Sequence, residues 1–233
     1  MLPERSTQAQ ISLQQMFRES TRLRVVVYDR EDRDLLFRTM LDPRILDGRI
    51  FRGDPLAPWG NSQRAHARGV EVFVQRRSAN RLSGWISYSY NFTRFRDGSL
   101  NLTFPSDFDA GSSVRIFGNY RLSNTWNVSS RFAYGAGLPI PGFFELRNGI
   151  PYLAAERNSL RLPAYQRTDF RVNKSFVKRR TQYTIFAEVV NVTNRQNIVF
   201  VSLNSFNSKT GQASLGLQRT FPILPAAGMV IDF

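Results

Sequence analysis

In about nine stretches of this chain, apolar residues fall on every second position. A strand turns successive side chains to opposite faces, so each stretch reads as a half-apolar β-strand. The alternation is cleanest at Gly69–Arg77, where Val70, Val72 and Val74 stand against Glu71, Phe73 and Gln75. It is equally clear at Gly84–Phe92, where Ile86, Tyr88, Tyr90 and Phe92 stand against Ser87, Ser89 and Asn91. It recurs at Thr7–Phe17, Arg22–Arg30, Ser112–Leu122, Trp126–Gly135, Gln166–Phe176 and Thr181–Val192, and once more in the stretch from Gly228 to the terminal Phe233. An aromatic content of 13% also favours strands.

The connections sort by length. Those at Arg18–Thr21, Ser78–Ser83, Ser123–Thr125 and Val177–Arg180 are short, whereas 31–68, 93–111, 136–165 and the stretch after Val192 are medium or long. Short turns at one end and long loops at the other are what a bacterial outer-membrane barrel shows, facing periplasm and exterior respectively. A soluble β-sandwich alternates apolar and polar residues too, but nothing sorts its connections. The polar face discriminates further, because a barrel of this size turns it inward around water. Arg115, Asn119, Arg131, Asp169, Arg171, Asn173 and Glu188 would make such a lumen-facing wall. The predicted fold is all-β: an antiparallel, up-and-down transmembrane β-barrel segment of about nine long strands. An odd count makes it an incomplete, open barrel, since a single-chain bacterial barrel closes on an even number. Ile198–Leu203 and Ala213–Gln218 are expected to form the tall outer extension of the last hairpin, not a further membrane pair. Loops 31–68 and 193–212 have no conformation legible in the sequence.

Composition narrows the function. No stretch approaches the roughly 18 uninterrupted apolar residues of a membrane helix. Cysteine is absent and His66 is the only histidine. No disulfide, cofactor, metal or catalytic role is therefore expected. The formal charge is +14, from 32 basic and 18 acidic residues. Only Lys174, Lys178 and Lys209 are lysines, and the arginines are spread along the chain. That spread favours solvated turns, loops and lumen walls. The alternative from another class is a basic soluble β-protein binding nucleic acid, which needs clustered Arg interleaved with exposed aromatics. A third reading is a small self-contained outer-membrane barrel, an adhesin or pore. The first residues carry no basic stretch followed by an apolar one, so no secretory signal is read there.

From Arg68 onward the chain carries a series of segments: RGVEVFVQRRSANRLSGWISYSY, FPSDFD, Tyr134–Pro139, RLPAYQRTDFRVNKSF, YTIFAEVVNVTNRQN and the terminal Phe. In order and spacing they resemble the C-terminal part of TonB-dependent outer-membrane receptors, in particular the Oar-like, carboxypeptidase-regulatory-domain-containing group. The resemblance covers the chain from about Asp29 on. Where such relatives often carry a His after the FPSDFD-type segment, this chain reads Asp109-Ala-Gly-Ser112. The family encloses an N-terminal plug in a barrel of about 22 strands. The resemblance thus implies that 1–233 is the C-terminal portion of a receptor barrel, without plug domain or signal peptide. It implies uptake of a siderophore, glycan or other large nutrient by the whole receptor, with no independent transport by this portion. TonB would be engaged only through the missing N-terminal part. The implied partners are outer-membrane lipid and the barrel-insertion machinery, with no nucleic acid, at the cell outer membrane. The last strand resembles the assembly signal at Gly228, Ile231 and Phe233.

The remaining motifs read as structural. Gly135-Ala-Gly137 lacks the Gly-Lys-Ser/Thr of a phosphate loop and is expected to be a strand exit or a close-packed wall. Asp107 and Asp109 flank Phe108 and are expected to cap a loop or form a Ca²⁺-tolerant turn, not a catalytic pair. Glu188 is expected to pair with Arg171 on the neighbouring strand, a substrate contact being the other possibility. His66 reads as part of a disordered-looking loop, which leaves no triad.

Overall fold

Strands that meet lipid must satisfy their backbone groups within the sheet, and this chain does so in one long ladder except along its two outer edges. The computed structural model describes residues 1–18 and 20–233, without the side chains of Ser78 and Ala79. Glu19, inside the turn expected at 18–21, lies outside the described residues. In chain order the strands are β1 (Arg5–Phe17), β2 (Thr21–Phe37), β3 (Arg44–Leu46), β4 (Arg49–Phe51), β5 (Gly60–Ala79), β6 (Leu82–Asp97), β7 (Leu102–Pro105), β8 (Gly111–Arg121), β9 (Trp126–Gly135), β10 (Phe144–Arg147), β11 (Ile150–Leu153), β12 (Tyr165–Lys178), β13 (Thr181–Val190), β14 (Ile198–Phe206), β15 (Ala213–Arg219) and β16 (Leu224–Asp232). No helix occurs among the described residues.

The main sheet runs β1-β2-β5-β6-β8-β9-β12-β13-β16, with β7 added beside β6. Every neighbour is antiparallel and consecutive along the path, so the sheet is an up-and-down meander. β1 and β16 are not partners, and the sheet stays open at both edges. Pro225, which lacks a ladder donor, sits on the edge strand β16 opposite Val189.

Register keeps the two faces apart across the whole sheet. One row reads Leu13, Val25, Val72, Tyr88, Val114 and Tyr134 across six strands. The next reads Leu23, Val74, Ile86, Ile116 and Phe132. A one-residue slip anywhere would exchange the faces, and the pairings from Thr21 to Asp32 on β2 with Ala65 to Arg76 on β5 contain none.

The strands are longer at one end than the alternation predicts. The 31–68 stretch is not a loop throughout: β2 continues to Phe37 and β5 begins at Gly60. Likewise β6 runs on to Asp97 inside the expected 93–111 loop. The reason is that these extensions carry charges on both faces, so the period-two signal stops where the ladder does not. Cross-strand and same-strand ion pairs hold them: Asp29 with Arg68 at 2.5 Å, Arg30 with Asp32 at 2.8 Å, Arg33 with Glu31 at 3.2 Å. His66 accordingly lies on β5, its Nε2 3.3 Å from Asp29 Oδ2, and not in a disordered loop.

Beyond this end, three hairpins pack together as a cap. β3–β4, β10–β11 and β14–β15 are separate two-stranded sheets, so the Ile198–Phe206 and Ala213–Arg219 pair does stand outside the main sheet. Phe144, Leu153 and Ala213 are buried at its centre, with Ile45, Ile50, Leu160, Leu203 and Phe206 against them. Backbone bonds join the hairpins: Leu153 N–H to Gly211 O and Ile45 N–H to Ala154 O, both 2.8 Å.

Candidate functional site

The register places Arg115, Asn119, Arg131, Asp169, Arg171, Asn173 and Glu188 on one face, opposite the apolar rows. Four of them, Asp169, Arg171, Asn173 and Glu188, make side-chain hydrogen bonds or ion pairs. Arg167, two residues before Asp169 on β12, grips its carboxylate with two donors at 2.7 and 2.8 Å. Asp169 is buried and also accepts the Asn191 backbone N–H at 2.9 Å. Arg131 is its cross-strand partner. Arg171 and Glu188 face each other across β12 and β13 at 3.3 Å. Arg171 also donates to Asn173 at 2.8 Å, and Asn173 donates to Asn127 at 2.7 Å. Arg115 and Arg131 flank a groove of about 340 Å³ that reaches Trp85, Tyr165, Arg167 and Asp169. Three guanidinium groups against one carboxylate make it a cationic, aromatic-edged groove. Such a surface holds anionic or hydroxyl-rich solutes by charge and hydrogen bonding.

The residues expected to form an assembly signal, Gly228, Ile231 and Phe233, sit on β16 and just past it. Ile231 is the partner of Tyr183, and Phe233 is fully exposed. Gly228 pairs with Phe186, and an added Cβ would meet the Phe186 ring at 2.7 Å. The glycine therefore admits an aromatic side chain; the close approach is a ring over Cα, and that ring is in turn covered by Arg171 at 3.9 Å. Gly137 is different, because an added Cβ would fall 1.5 Å from Leu162 O. Two backbones cross there just past the exit of β9, and no phosphate-loop geometry follows.

The acids of the FPSDFD segment do more than cap a turn. Asp109 Oδ1 accepts the Thr93 N–H at 2.7 Å, and Oδ2 meets Arg94 at 3.0 Å and Arg161. Asp109 is buried, which makes it the anchor between β6 and the 136–165 loop. Asp107 accepts from Asn158 at 2.6 Å, while Asn158 also donates to Pro105 O and accepts the Gly142 N–H. Sequence reasoning missed the basic half of this cluster. Arg157 pairs with Asp42 and lies over Phe37, Phe104 and Phe143. Arg44, fully buried, donates to Thr39 O at 2.8 Å and lies over Phe51 and Phe143. Burial pulls its guanidinium below the ordinary arginine range, and the charges of Asp42 and Asp97 oppose that. The asparagines of the NVTNRQN stretch hold the turn after β13. Asn191 donates to Arg195 O and Phe221 O, and Asn197 brackets Gln166 through both its N–H and its C=O.

Among the described residues, no group of three His, Asp or Glu is placed to hold a metal ion.

The comparisons with known proteins agree with this geometry. A family model described as TonB dependent receptor-like, beta-barrel, matches residues 2–192. The outer membrane transporter YddB from Escherichia coli has a similar fold, with a TM-score of 0.59 at 12% identity, over 97% of this chain and 33% of that one. BauA, the ferric preacinetobactin receptor from Acinetobacter baumannii, is similar at a TM-score of 0.59 and 12% identity, over 99% of this chain and 29% of that one. No curated protein matches in sequence. The chain thus spans about a third of the length of these two solved structures. Its matched residues and its open antiparallel meander place it at the outer membrane, and the chain belongs to the TonB-dependent receptor β-barrel family.

Proposed function

We propose that residues 1–233 are the C-terminal portion of the barrel of an Oar-like TonB-dependent receptor, which imports a siderophore, a glycan or another large nutrient. The observation that carries the reading is the register. It keeps apolar and charged residues on opposite faces across the nine-strand path, as a wall between lipid and a watery lumen requires. On this reading Arg115, Asn119, Arg131, Asp169, Arg171, Asn173 and Glu188 face the lumen, and Arg115, Arg131 and Arg167 favour anionic cargo on its way through. The open edges β1 and β16 pair with strands of the rest of the barrel. This portion alone transports nothing, because unpaired N–H and C=O groups facing lipid cost several kcal/mol each. TonB acts through an N-terminal part, and nucleic acid is no partner.

Uptake tests this directly. Cells carrying or lacking the gene, each with and without TonB, are offered labelled ferric siderophores and oligosaccharides. One compound should enter only when both the gene and TonB are present. Recovery of the protein in the soluble fraction of intact cells would overturn the reading.

Gly228, Ile231 and Phe233 are proposed as the mark read by the insertion machinery. Deleting Phe233 from the full receptor should cut the heat-modifiable, membrane-inserted amount several-fold, and unchanged insertion would remove that role.

A further inference from the structure

On the polar face of β8, β9 and β12 the register leaves a notch. Row by row from the outer end, Gly135 of β9 stands between Ser113 and Tyr165, Ala133 between Arg115 and Arg167, and Arg131 between Phe117 and Asp169. Two small residues on the middle strand form the floor, and the longer side chains of its neighbours form the walls. The floor is open above, since a Cβ added at Gly135 would meet nothing within 4 Å. Arg167 is held by Asp169. Arg115 and Arg131, both exposed, join no ion pair among the described residues. They are diagonal neighbours across β8 and β9, about 7–8 Å apart, which lets two guanidinium groups share one oxyanion.

The groove around this notch, about 340 Å³, continues toward the cap into a second of about 530 Å³, and the two share Arg115, Ala133 and Tyr165. The second is walled by Leu138, Leu162, Pro163, Ile198 and Val199. Hydrogen bonds hold these walls in place. Leu162 N–H donates to Leu138 O at 2.8 Å, and Asn197, next to Ile198, is tied to Gln166 from both sides. Among the described residues, Arg115, Arg131, Arg167 and Asp169 are the only charged ones lining either groove, which leaves two positive charges in excess. All of that charge lies at one end, and the other end is apolar.

We propose that these joined grooves bind an amphipathic organic acid, its carboxylate between Arg115 and Arg131 and its alkyl chain in the slot beneath the cap. Neither half alone selects such a ligand. A small anion leaves the slot wet, and a neutral alkyl compound leaves the two guanidinium groups without a partner. The apolar walls beside the arginines also exclude water, which strengthens a charge-assisted hydrogen bond there. A slot of this size suits a small molecule, and its hydrogen-bonded walls limit the ordering that binding must impose. The proposal rests on the reading that this face lines the lumen, and it narrows the cargo from anions in general to acids with an apolar tail.

The test uses the full receptor in lipid nanodiscs, with binding measured by calorimetry in metal-free buffer against empty nanodiscs. The probes are octanoate, octanamide, which keeps the chain without the charge, and acetate, which keeps the charge without the chain. Octanoate should bind best, and each methylene added between butanoate and octanoate should tighten binding about two- to four-fold. R115Q with R131Q should weaken octanoate about ten-fold for each arginine and leave octanamide as it was. V199N should weaken octanoate and leave acetate unchanged. G135V, which suits a strand and fills the notch, should weaken octanoate and acetate alike while the heat-modifiable mobility of the barrel stays intact. Equal binding of octanoate and octanamide, equal binding of octanoate and acetate, or no loss in R115Q/R131Q would overturn the proposal while leaving the lumen reading intact. A spin label introduced through R115C and reached by a lipid-soluble quencher, with one introduced through I116C shielded from it, would instead sink the lumen reading.

Discussion

Ile86 and Ile185, on inner strands of the sheet, are 48% and 47% exposed, whereas Leu153 and Phe143 in the cap are 1% and 2% exposed. The residue types are alike and the sequence gives both regions ample hydrophobes, yet only the cap buries them against protein. The difference lies in the solvent each region meets. The cap stands in water and must hide apolar surface within itself, about 25 cal/mol for each Å² removed. On the proposed reading the sheet meets lipid on that face, which costs an isoleucine nothing, and its stability comes from its backbone ladder. The same contrast governs charge. In the cap, Asp109 and Arg157 are buried and paired with charges from distant loops. In the sheet below its polar extensions, charges gather on the one polar face and pair with near neighbours such as Arg167 and Asp169.

The largest test of the contrast is to hollow the cap. Leu153→Ala should cost about 2–5 kcal/mol there. The cost should appear as protease cleavage within 136–165 and 193–212, with the heat-modifiable mobility of the barrel unchanged. If the sheet melts with the cap, the two are one cooperative unit and the comparison fails. Placing a charge on the apolar face comes next. Ile116→Arg should cost about 2–4 kcal/mol near the bilayer midplane, measured by urea unfolding in lipid vesicles. Arg115→Ile, one residue away on the other face, should cost far less. Equal losses would mean that the faces are wrongly assigned. A smaller effect should follow Gly228→Ala. The new methyl displaces the Phe186 ring from beneath Arg171, at about 1–3 kcal/mol for an overpacked contact. Adding Phe186→Ala should recover part of that loss, and an absence of coupling between the two changes would count against the ring contact.

The sheet was legible because lipid imposes period two on every strand that crosses it. Val70, Ile86, Ile116 and Phe132 announce their face from the sequence, and the observed register keeps them together. Glu188 was legible as the partner of Arg171 because adjacent strands joined by a tight turn fix which residues stand opposite. The polar extensions of β2 and β5 were not, since a ladder with water on both faces leaves no alternation to read. The cap was not legible for a further reason. Arg157 reaches Asp42 across 115 positions, and Asn158 reaches Asp107 across 51. Such contacts are set by where the loops are delivered, and no local spacing records them.

The smallest expected effect lies where the two regions meet, at Asp29. Its side chain is part-exposed above the apolar band, where Arg68 donates to it at 2.5 Å and His66 lies 3.3 Å away. The Arg68 hydrogen bond, with help from His66, holds its carboxyl below the usual aspartate range. A carboxyl with a depressed folded-state pKa contributes its stability above the unfolded value, near 3.9, and loses it as the pH falls through the folded value. Asp29→Asn should therefore be slightly less stable than the unaltered protein from neutral pH down to about 5, and the gap should close below about 4. Solvent and salt screen so exposed a pair, so the gap should also narrow as ionic strength rises. Urea midpoints of the two proteins, compared across pH, provide the measurement. A gap that persists unchanged to pH 2 would mean that Asp29 acts by shape and not by charge. The rim would then behave like the cap, whose contacts are packed, and not like the charged collar that separates cap from sheet.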